Sequence, residues 1–126
     1  MQEIKTLSKA QRLKSPNDYR RVYQTKQWGG SSHHTFNVNP LDQPSLSSLG
    51  VTVSKKVSKL AVVRNKIKRQ VKEFYRYRQN ELLNTELVIT AKPSCASASN
   101  KERGQSLTDL WVKILKWQRW HQQATS

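Results

Sequence analysis

Apolar and polar side chains alternate along three short segments of the chain, which is the pattern of half-buried β-strands. These segments cover residues 34–41, 49–56 and 86–92. In the second of them, Leu49 and Val53 face the same way, with Val51 between them on that face. We therefore predict three strands, the first two joined by a loop.

Three further segments repeat apolar residues at intervals of three and four, as amphipathic helices do. The first begins at Ser15, a predicted N-cap, with Pro16 at the first helical position and Asp18 completing a capping box. The second runs from about residue 61 to 83 and the third from about 106 to 121.

The apolar stripes of the two later helices predict which side chains are buried. On the middle helix the stripe is Val63, Ile67, Val71 and Phe74. On the last helix it is Leu107, Leu110, Trp111, Ile114, Trp117 and His121. Trp120 lies off that stripe, so we expect it to be exposed.

The order of these elements predicts an α+β fold, an α-β sandwich in which three helices pack on one small, mostly antiparallel sheet. A chain of 126 residues is long enough for a single domain with a modest core, here residues 1–126. Residues 1–12 are polar and basic and predict a mobile arm. Residues 28–32 break the first helix and start a loop, and the Ser/Ala-rich segment 93–105 predicts a mobile loop.

Positive charge dominates the middle of the chain. The protein has 23 Lys and Arg against 8 Asp and Glu, a formal net charge of +15. Ten of these cations lie between residues 51 and 78, against the single acid Glu73. A solvated helix face normally mixes both signs, so a one-sided face indicates a polyanionic partner. Nucleic acid is the first candidate and an anionic membrane surface the second.

The residues that catalysis by the protein itself would need are scattered. No two of the eight acids form a close pair, and the sequence has neither a Gly-rich phosphate loop nor a Ser-His-Asp pattern. The adjacent His33 and His34 would point to opposite faces of a strand, so we predict no metal site and no cofactor bound by the protein alone. The single Cys95 excludes an internal disulfide and fits a reducing, cytoplasmic location.

The segment SKKVSKLAVVRNKIKRQVKEFYR resembles the signature of the bacterial ribonuclease P protein subunit. In that signature a strand ends in Ser-Lys-Lys, and Ala-Val-x-Arg-Asn-Arg-x-Lys-Arg opens a helix after a short turn. Residues 54–56, 61–62, 64–65 and 68–69 match it. Lys66 departs from it, because a lysine keeps the charge of the family's arginine but lacks its bidentate fork. SPNDYRRVYQ and ELVITAKPS extend the resemblance over roughly residues 12–118.

This resemblance implies a more specific fold and function. The fold would gain a short strand near the first pair, giving the order αβββαβα, and a left-handed crossover around the basic helix. The protein would be the non-catalytic component of a ribonucleoprotein endoribonuclease, whose RNA subunit performs catalysis with Mg²⁺. Its partners would be that catalytic RNA and the 5′ leader of precursor tRNA, without a membrane or an obligate protein partner.

The resemblance also divides the candidate residues into two surfaces. The basic helix face would bind the catalytic RNA through Arg64, Asn65, Lys66, Lys68, Arg69, Lys72 and Arg76. A groove beside the first helix would bind the unpaired leader, since aromatic stacking tolerates any base. Its predicted residues are Tyr19, Tyr23, Phe36, Val51, Val53, Ser54, Lys55, Lys56, Lys59 and Lys92.

Three other classes of protein share the high charge: a ribosomal protein or other structural RNA-binding protein, a duplex-DNA architectural protein, and an RNA chaperone. The ribosomal class does not account for a helix with aromatic residues opposite a groove in the sheet. The basic stripe is not the second helix of a helix-turn-helix, which argues against major-groove DNA binding. A small basic ribosomal or other structural RNA-binding protein is therefore the principal alternative.

Overall fold

The computed structural model describes residues 12–125, which fold into three α-helices and four β-strands. In chain order they are α1 (Pro16–Tyr23), β1 (Trp28–Gly30), β2 (His34–Pro40), β3 (Ser48–Thr52), α2 (Ala61–Arg76), β4 (Thr85–Ala91) and α3 (Asn100–Thr125). Short 3₁₀ turns lie at Gln79–Glu81 and Pro93–Ala96. The order αβββαβα is the one that the resemblance implies.

The four strands form one mixed sheet in the order β1-β2-β4-β3. Strand β2 is antiparallel to both β1 and β4, whereas β3 is parallel to β4. The predicted small, mostly antiparallel sheet is therefore confirmed. Helix α2 is the crossover between the parallel neighbours β3 and β4, and the left-handed sense of this crossover stays a prediction.

Helix α1 begins with the capping box that the sequence predicts. Ser15 Oγ accepts a hydrogen bond from the Asp18 N–H at 3.2 Å, and Asp18 Oδ2 accepts one from the Ser15 N–H at 3.1 Å. The backbone N–H groups of Ser15 and Lys14 hold the pKa of the Asp18 carboxyl below its usual value. The cap fixes the start of α1, and with it the direction of the side chains that α1 presents.

The main apolar core lies between one face of the sheet and the helices α2 and α3. The strands contribute Phe36, Val38, Leu49, Leu87 and Ile89, and the helices contribute Val71, Tyr75, Leu107, Leu110, Trp111 and Ile114. The Tyr75 hydroxyl shares a hydrogen bond with Ser47 Oγ, and burial raises the pKa of Tyr75 to about 12. The predicted stripe of α3 points into this core, and that of α2 is divided between it and a smaller cluster that contains Ile67.

Helix α1 packs on the opposite face of the sheet. Arg21 Nε donates to Glu86 Oε1 at 2.8 Å, and Asn39 Nδ2 donates to the same oxygen at 2.8 Å. The Arg21 guanidinium holds the pKa of the buried Glu86 carboxyl below its usual value. These three polar side chains join α1 to β2 and β4, so the sheet has helices on both faces.

Two predicted helix boundaries are wrong. Helix α2 ends at Arg76 instead of near residue 83, after which the chain turns and buries Leu82 completely. A buried leucine gives the same apolar pattern in a turn as in a helix, so the periodicity continued past the true end. Helix α3 begins at Asn100 instead of near residue 106.

The predicted loop at 93–105 is consequently wrong over most of its length. Pro93–Ala96 forms a 3₁₀ turn that buries Cys95, and Ser99 caps α3. Ser99 Oγ accepts from the Glu102 N–H at 3.0 Å, and Glu102 Oε1 accepts from the Ser99 N–H at 2.8 Å. The letters SNKE carry this capping box in the sequence, so the earlier start of α3 had a readable signal.

The predicted loop at 28–32 is also wrong at its start. Trp28–Gly30 is the edge strand β1, paired with β2, and it supplies the short additional strand that the resemblance implies. A three-residue strand with two glycines has no alternation to detect. Residues 1–11 of the predicted arm lie outside the described residues, while Arg12 forms a parallel bridge with Leu49.

Candidate nucleic-acid interface

A basic groove runs along the outer side of α2. It has a volume of about 570 Å³ and is lined by Arg12, Asn65, Lys68, Arg69, Lys72, Glu73 and Arg76. Five of these seven side chains are cations, and Glu73 is the one acid among them. Positions 65, 68, 69, 72 and 76 share one side of a helix with 3.6 residues per turn, which is why they face the groove together. This arrangement suits the phosphates of a nucleic-acid backbone.

The structure brings together five of the seven residues predicted for this surface and separates the other two. Arg64 Nη1 donates to the carbonyl oxygens of Ser58 and Lys59, both at 2.9 Å, and so fastens the turn before α2. Lys66 is exposed but does not line the groove, because it follows Asn65 by about 100° around the helix. Arg64 and Lys66 thus lie outside the groove, and their contact with the catalytic RNA stays a prediction.

Two features of the basic groove were not predicted. Arg12 comes from the segment before α1 and joins the groove through its bridge to Leu49. Arg76 is partly neutralised, since its Nη2 lies 3.0 Å from Glu73 Oε1 and its guanidinium lies 5.1 Å from the centroid of the Tyr77 ring. A basic residue in an irregular segment has no periodicity, so sequence patterns could not assign Arg12 to this groove.

A second cleft lies on the other side of the sheet, along α1. It has a volume of about 530 Å³ and is lined by Pro16, Tyr19, Arg20, Tyr23, Gln24 and Thr52. The Tyr19 ring packs so closely on Gly50 that a β-carbon at that position would lie 2.7 Å from Tyr19 Cζ. Burial raises the pKa of Tyr19, whose hydroxyl is also hydrogen-bonded to the Val51 backbone. Tyr23 is 40% exposed, so its ring is open to a ligand.

Three residues predicted for the leader groove lie on the wrong face of the sheet. Phe36, Val51 and Val53 contact the apolar cores under α2 and α3, and Phe36 and Val53 are buried. The predicted groove included the apolar face of the strands. Because side chains alternate, that face belongs to the core, and the residues between them face α1.

One row of residues on the face that carries α1 consists of small residues, three of them threonines. Thr52 pairs with Thr90, Thr90 with Thr35, and Thr35 with Gly30, so these four form one row across the whole sheet. All four are half-buried. Thr52 lines the cleft along α1 together with Tyr19 and Tyr23, and from Thr52 the row leads to the far edge of the sheet. We call these four residues the threonine row and the surface above them the trough.

The predicted lysines of the leader surface divide into two groups. Lys92 Nζ donates to the Ser31 carbonyl oxygen at 2.6 Å and lies beside Gly30, at one end of the threonine row. Ser54, Lys55, Lys56 and Lys59 are exposed on the turn between β3 and α2 and line neither cleft. Lys92 is thus the one lysine of the predicted set that the structure places at the trough.

A buried cluster near one end of the sheet contains His34, Cys95 and Ser106. His34 Nδ1 lies 2.9 Å from Ser106 Oγ and its Nε2 lies 3.6 Å from Cys95 Sγ. All three side chains are fully buried, which closes them to a substrate. His33 points the other way, with its Nδ1 2.7 Å from Ser94 Oγ.

Other types of site are not formed by the part of the chain that the structure describes. Within residues 12–125, no three His, Cys, Asp or Glu side chains are grouped to hold a metal ion. Nor is any helix of residues 12–125 long and apolar enough to cross a membrane. The interface chemistry available is phosphate neutralisation on α2 and base stacking beside α1.

Comparisons with known proteins give a consistent result. The family model for ribonuclease P matches residues 7–115. The ribonuclease P protein component of Vibrio cholerae is 39% identical over 105 residues, which cover 82% of this chain and 86% of that one. The ribonuclease P protein component of Aliivibrio fischeri is 38% identical over 109 residues, which cover 85% of this chain and 91% of that one. The solved structure of the Staphylococcus aureus RNase P protein has a TM-score of 0.78 at 27% identity, covering 86% of this chain and 97% of that one.

Proposed function

Because the chain belongs to the ribonuclease P protein family, and is thus the non-catalytic subunit of a ribonucleoprotein endoribonuclease, we propose how it divides its contacts between two RNAs. The basic groove on α2 binds the catalytic RNA, and the cleft beside α1 binds the 5′ leader of precursor tRNA. The RNA subunit performs the cleavage with Mg²⁺. The family assignment does not favour a ribosomal or other structural RNA-binding role.

The observation that carries this proposal is the presence of two unlike surfaces on opposite sides of one sheet. The basic groove offers five cations, as a binding site for a folded RNA backbone does. The cleft beside α1 offers two tyrosine rings next to Thr52, the first residue of the threonine row, which suits unpaired bases. A protein with this layout can hold the leader while it remains bound to the catalytic RNA.

The same layout explains how the protein assists without performing chemistry. Stacking on a tyrosine face is insensitive to base identity, so many precursors can bind. Mature tRNA lacks the leader and cannot stack on these rings. The protein therefore favours substrate over product by binding the part of the RNA that cleavage removes.

The substitution Tyr23→Ala tests the leader cleft. In a holoenzyme assembled with a bacterial ribonuclease P RNA, we expect precursor tRNA to bind more weakly by about 1–3 kcal/mol, the value of one stacked base. The affinity for mature tRNA should stay the same, because the ring is partly exposed and its removal leaves the core intact.

Binding of both RNAs and a thermal melt of the variant complete this test. An equal loss of affinity for precursor and mature tRNA, together with a large fall in the melting temperature, would show that Tyr23 supports the fold and does not contact the leader. A useful control is Trp120→Ala, since Trp120 is 61% exposed on α3 and lines neither the cleft nor the basic groove.

A further inference from the structure

Trp28 is a large aromatic side chain that the core does not use. It is 69% exposed, more than Trp111, which is buried, and more than Trp120 at 61%. It pairs with Asn37, which pairs with Val88, which pairs with Gly50. One row across the sheet therefore joins Trp28 to the glycine on which Tyr19 packs, and Trp28 projects from the face that carries α1.

Helix α1 runs along this row. It starts over β3, where Tyr19 packs on Gly50, and ends at β2, where Thr25 Oγ1 donates to the Val38 carbonyl oxygen at 2.6 Å. Tyr23 lies between these two points on the same side of α1 as Tyr19. The chain then enters β1, so Trp28 follows Tyr19 and Tyr23 in one line across the sheet.

The threonine row lies next to this line of aromatic residues and ends at Gly30, two residues from Trp28. Strands are about 4.8 Å apart, so the trough from β3 to β1 is about 14 Å long. At about 3.4 Å per stacked nucleotide, that length accommodates about four nucleotides. Tyr19 and Tyr23 cover the part near β3 and β4, which leaves the β1 end to Trp28.

The β1 end of the trough also carries positive charge. Lys92 Nζ lies beside Gly30 and donates to the Ser31 carbonyl oxygen, and Lys113 Nζ donates to the Gly30 carbonyl oxygen. Both ammonium groups are held by the backbone at the edge strand. A phosphate that passes Trp28 therefore meets the Lys92 ammonium, while the indole offers the larger stacking surface. Lys113 reaches the same edge strand from α3 on the other face and adds positive charge at this edge.

We propose that Trp28 stacks on a nucleobase of the precursor-tRNA leader and extends the leader cleft beyond Tyr23 to the edge of the sheet. This inference rests on the proposed leader-binding function and adds a second stacking position to it. Its consequence is a dependence on leader length. Only a leader long enough to cross the sheet reaches Trp28, and a shorter leader contacts the tyrosines alone.

The test uses the holoenzyme and precursor tRNAs with leaders of about one to ten nucleotides. With the unaltered protein we expect affinity to rise with leader length in two steps. Trp28→Ala should remove the second step, so that long leaders bind about 5- to 150-fold more weakly while the shortest bind as before. Trp28→Phe should retain most of the second step, because it keeps an aromatic face.

Trp120→Ala is the matched control, since it removes a similarly exposed indole from α3 and should leave every leader unchanged. Equal affinity of Trp28→Ala and the unaltered protein for long leaders would overturn the inference. A loss of affinity that is the same at all leader lengths and for mature tRNA would also overturn it. If Tyr23→Ala lowers the affinity for long leaders while Trp28→Ala does not, the inference about Trp28 is wrong and the proposed leader cleft is retained. If neither substitution lowers that affinity, the leader cleft itself is refuted.

Discussion

Single residues of this protein show how strongly position in the fold alters the use of a side chain. Tyr19 and Tyr23 are four residues apart on α1, yet the Tyr19 ring is pressed on Gly50 and hydrogen-bonded to the backbone, whereas Tyr23 is open to solvent. Tyr19 is thus both part of the packing between α1 and the sheet and a wall of the cleft. The sequence placed both tyrosines beside the sheet but could not tell them apart, because the difference depends on a glycine in a distant strand.

The fully buried His34 makes the fold sensitive to acid. Burial lowers the pKa of His34 to about 4, from an ordinary value near 6.5. The unfolded chain therefore binds a proton below about pH 6.5 that the folded chain does not accept until about pH 4. The contribution of His34 to the free energy of unfolding is complete above about pH 6.5. We expect the free energy of unfolding to fall by up to about 3 kcal/mol through this residue as the pH falls to 4.

Unfolding in denaturant at several pH values between 4 and 8 measures this effect. His34→Gln removes the titrating group and should flatten the pH dependence in that window, even if the variant is less stable at pH 7. His121→Gln is the control, because His121 lies on α3, where it stacks on Trp117, outside the His34 cluster. A profile for His34→Gln as steep as that of the unaltered protein would assign the acid sensitivity to other groups.

Among the elements, those with a strong periodic signal were predicted and those without one were missed. The capping box of α1, the three strands and the apolar stripes of α2 and α3 are all local patterns, and the structure confirms them. Strand β1 was missed because its three residues cannot alternate. Phe36, Val51 and Val53 were given to the wrong surface, because alternation shows that two faces exist but not which one the helices α2 and α3 will cover.

The basic surface of α2 gives a prediction about salt. Arg69 and Lys72 both line the groove. Replacing both with Ala should weaken binding to the catalytic RNA and reduce the slope of log affinity against log salt by about one unit for each phosphate that the protein no longer neutralises. The measurement is a salt titration of protein binding to the RNA subunit.

The double variant Lys116→Ala, Arg119→Ala is the matched control for that titration. It removes one lysine and one arginine from the exposed side of α3, so net charge falls by the same amount. Only the α2 pair should change the salt slope. Equal slopes for the two double variants would mean that total charge, and not the groove, determines binding.

At the scale of the whole molecule, the sheet separates the two surfaces for which we propose RNA binding. Helix α1 with its cleft lies on one face, and α2 with its basic groove lies over the other. The composition predicted a polyanionic partner, and the signature residues indicated the family. The division into two sides could not be predicted from the sequence, since it follows from strand order and register, which pair residues 34–40 with residues 85–91.

The strand order also determines when the sheet can form during synthesis of the chain. Strand β4 pairs with both β2 and β3, yet it is the last strand to be made. At about 5–20 residues per second, β4 leaves the synthesis site about two to seven seconds after β3. Until then β1 and β2 form at most an isolated hairpin, which is marginal in water, and β3 has no neighbour. The cationic α2 segment is therefore synthesised before any sheet exists to support it.

A fragment of residues 1–84 should reproduce this nascent state. We expect it to show no cooperative thermal transition and little near-ultraviolet circular dichroism, whereas the full chain shows both. It should still bind RNA with a steep salt dependence, because its cations need no fold to attract phosphates. Cooperative melting of the fragment would instead show that the first three strands assemble alone. If the fragment behaves as expected, the newly made protein binds RNA through charge alone before it is folded. Specific binding then begins only when β4 has been synthesised and the sheet can form.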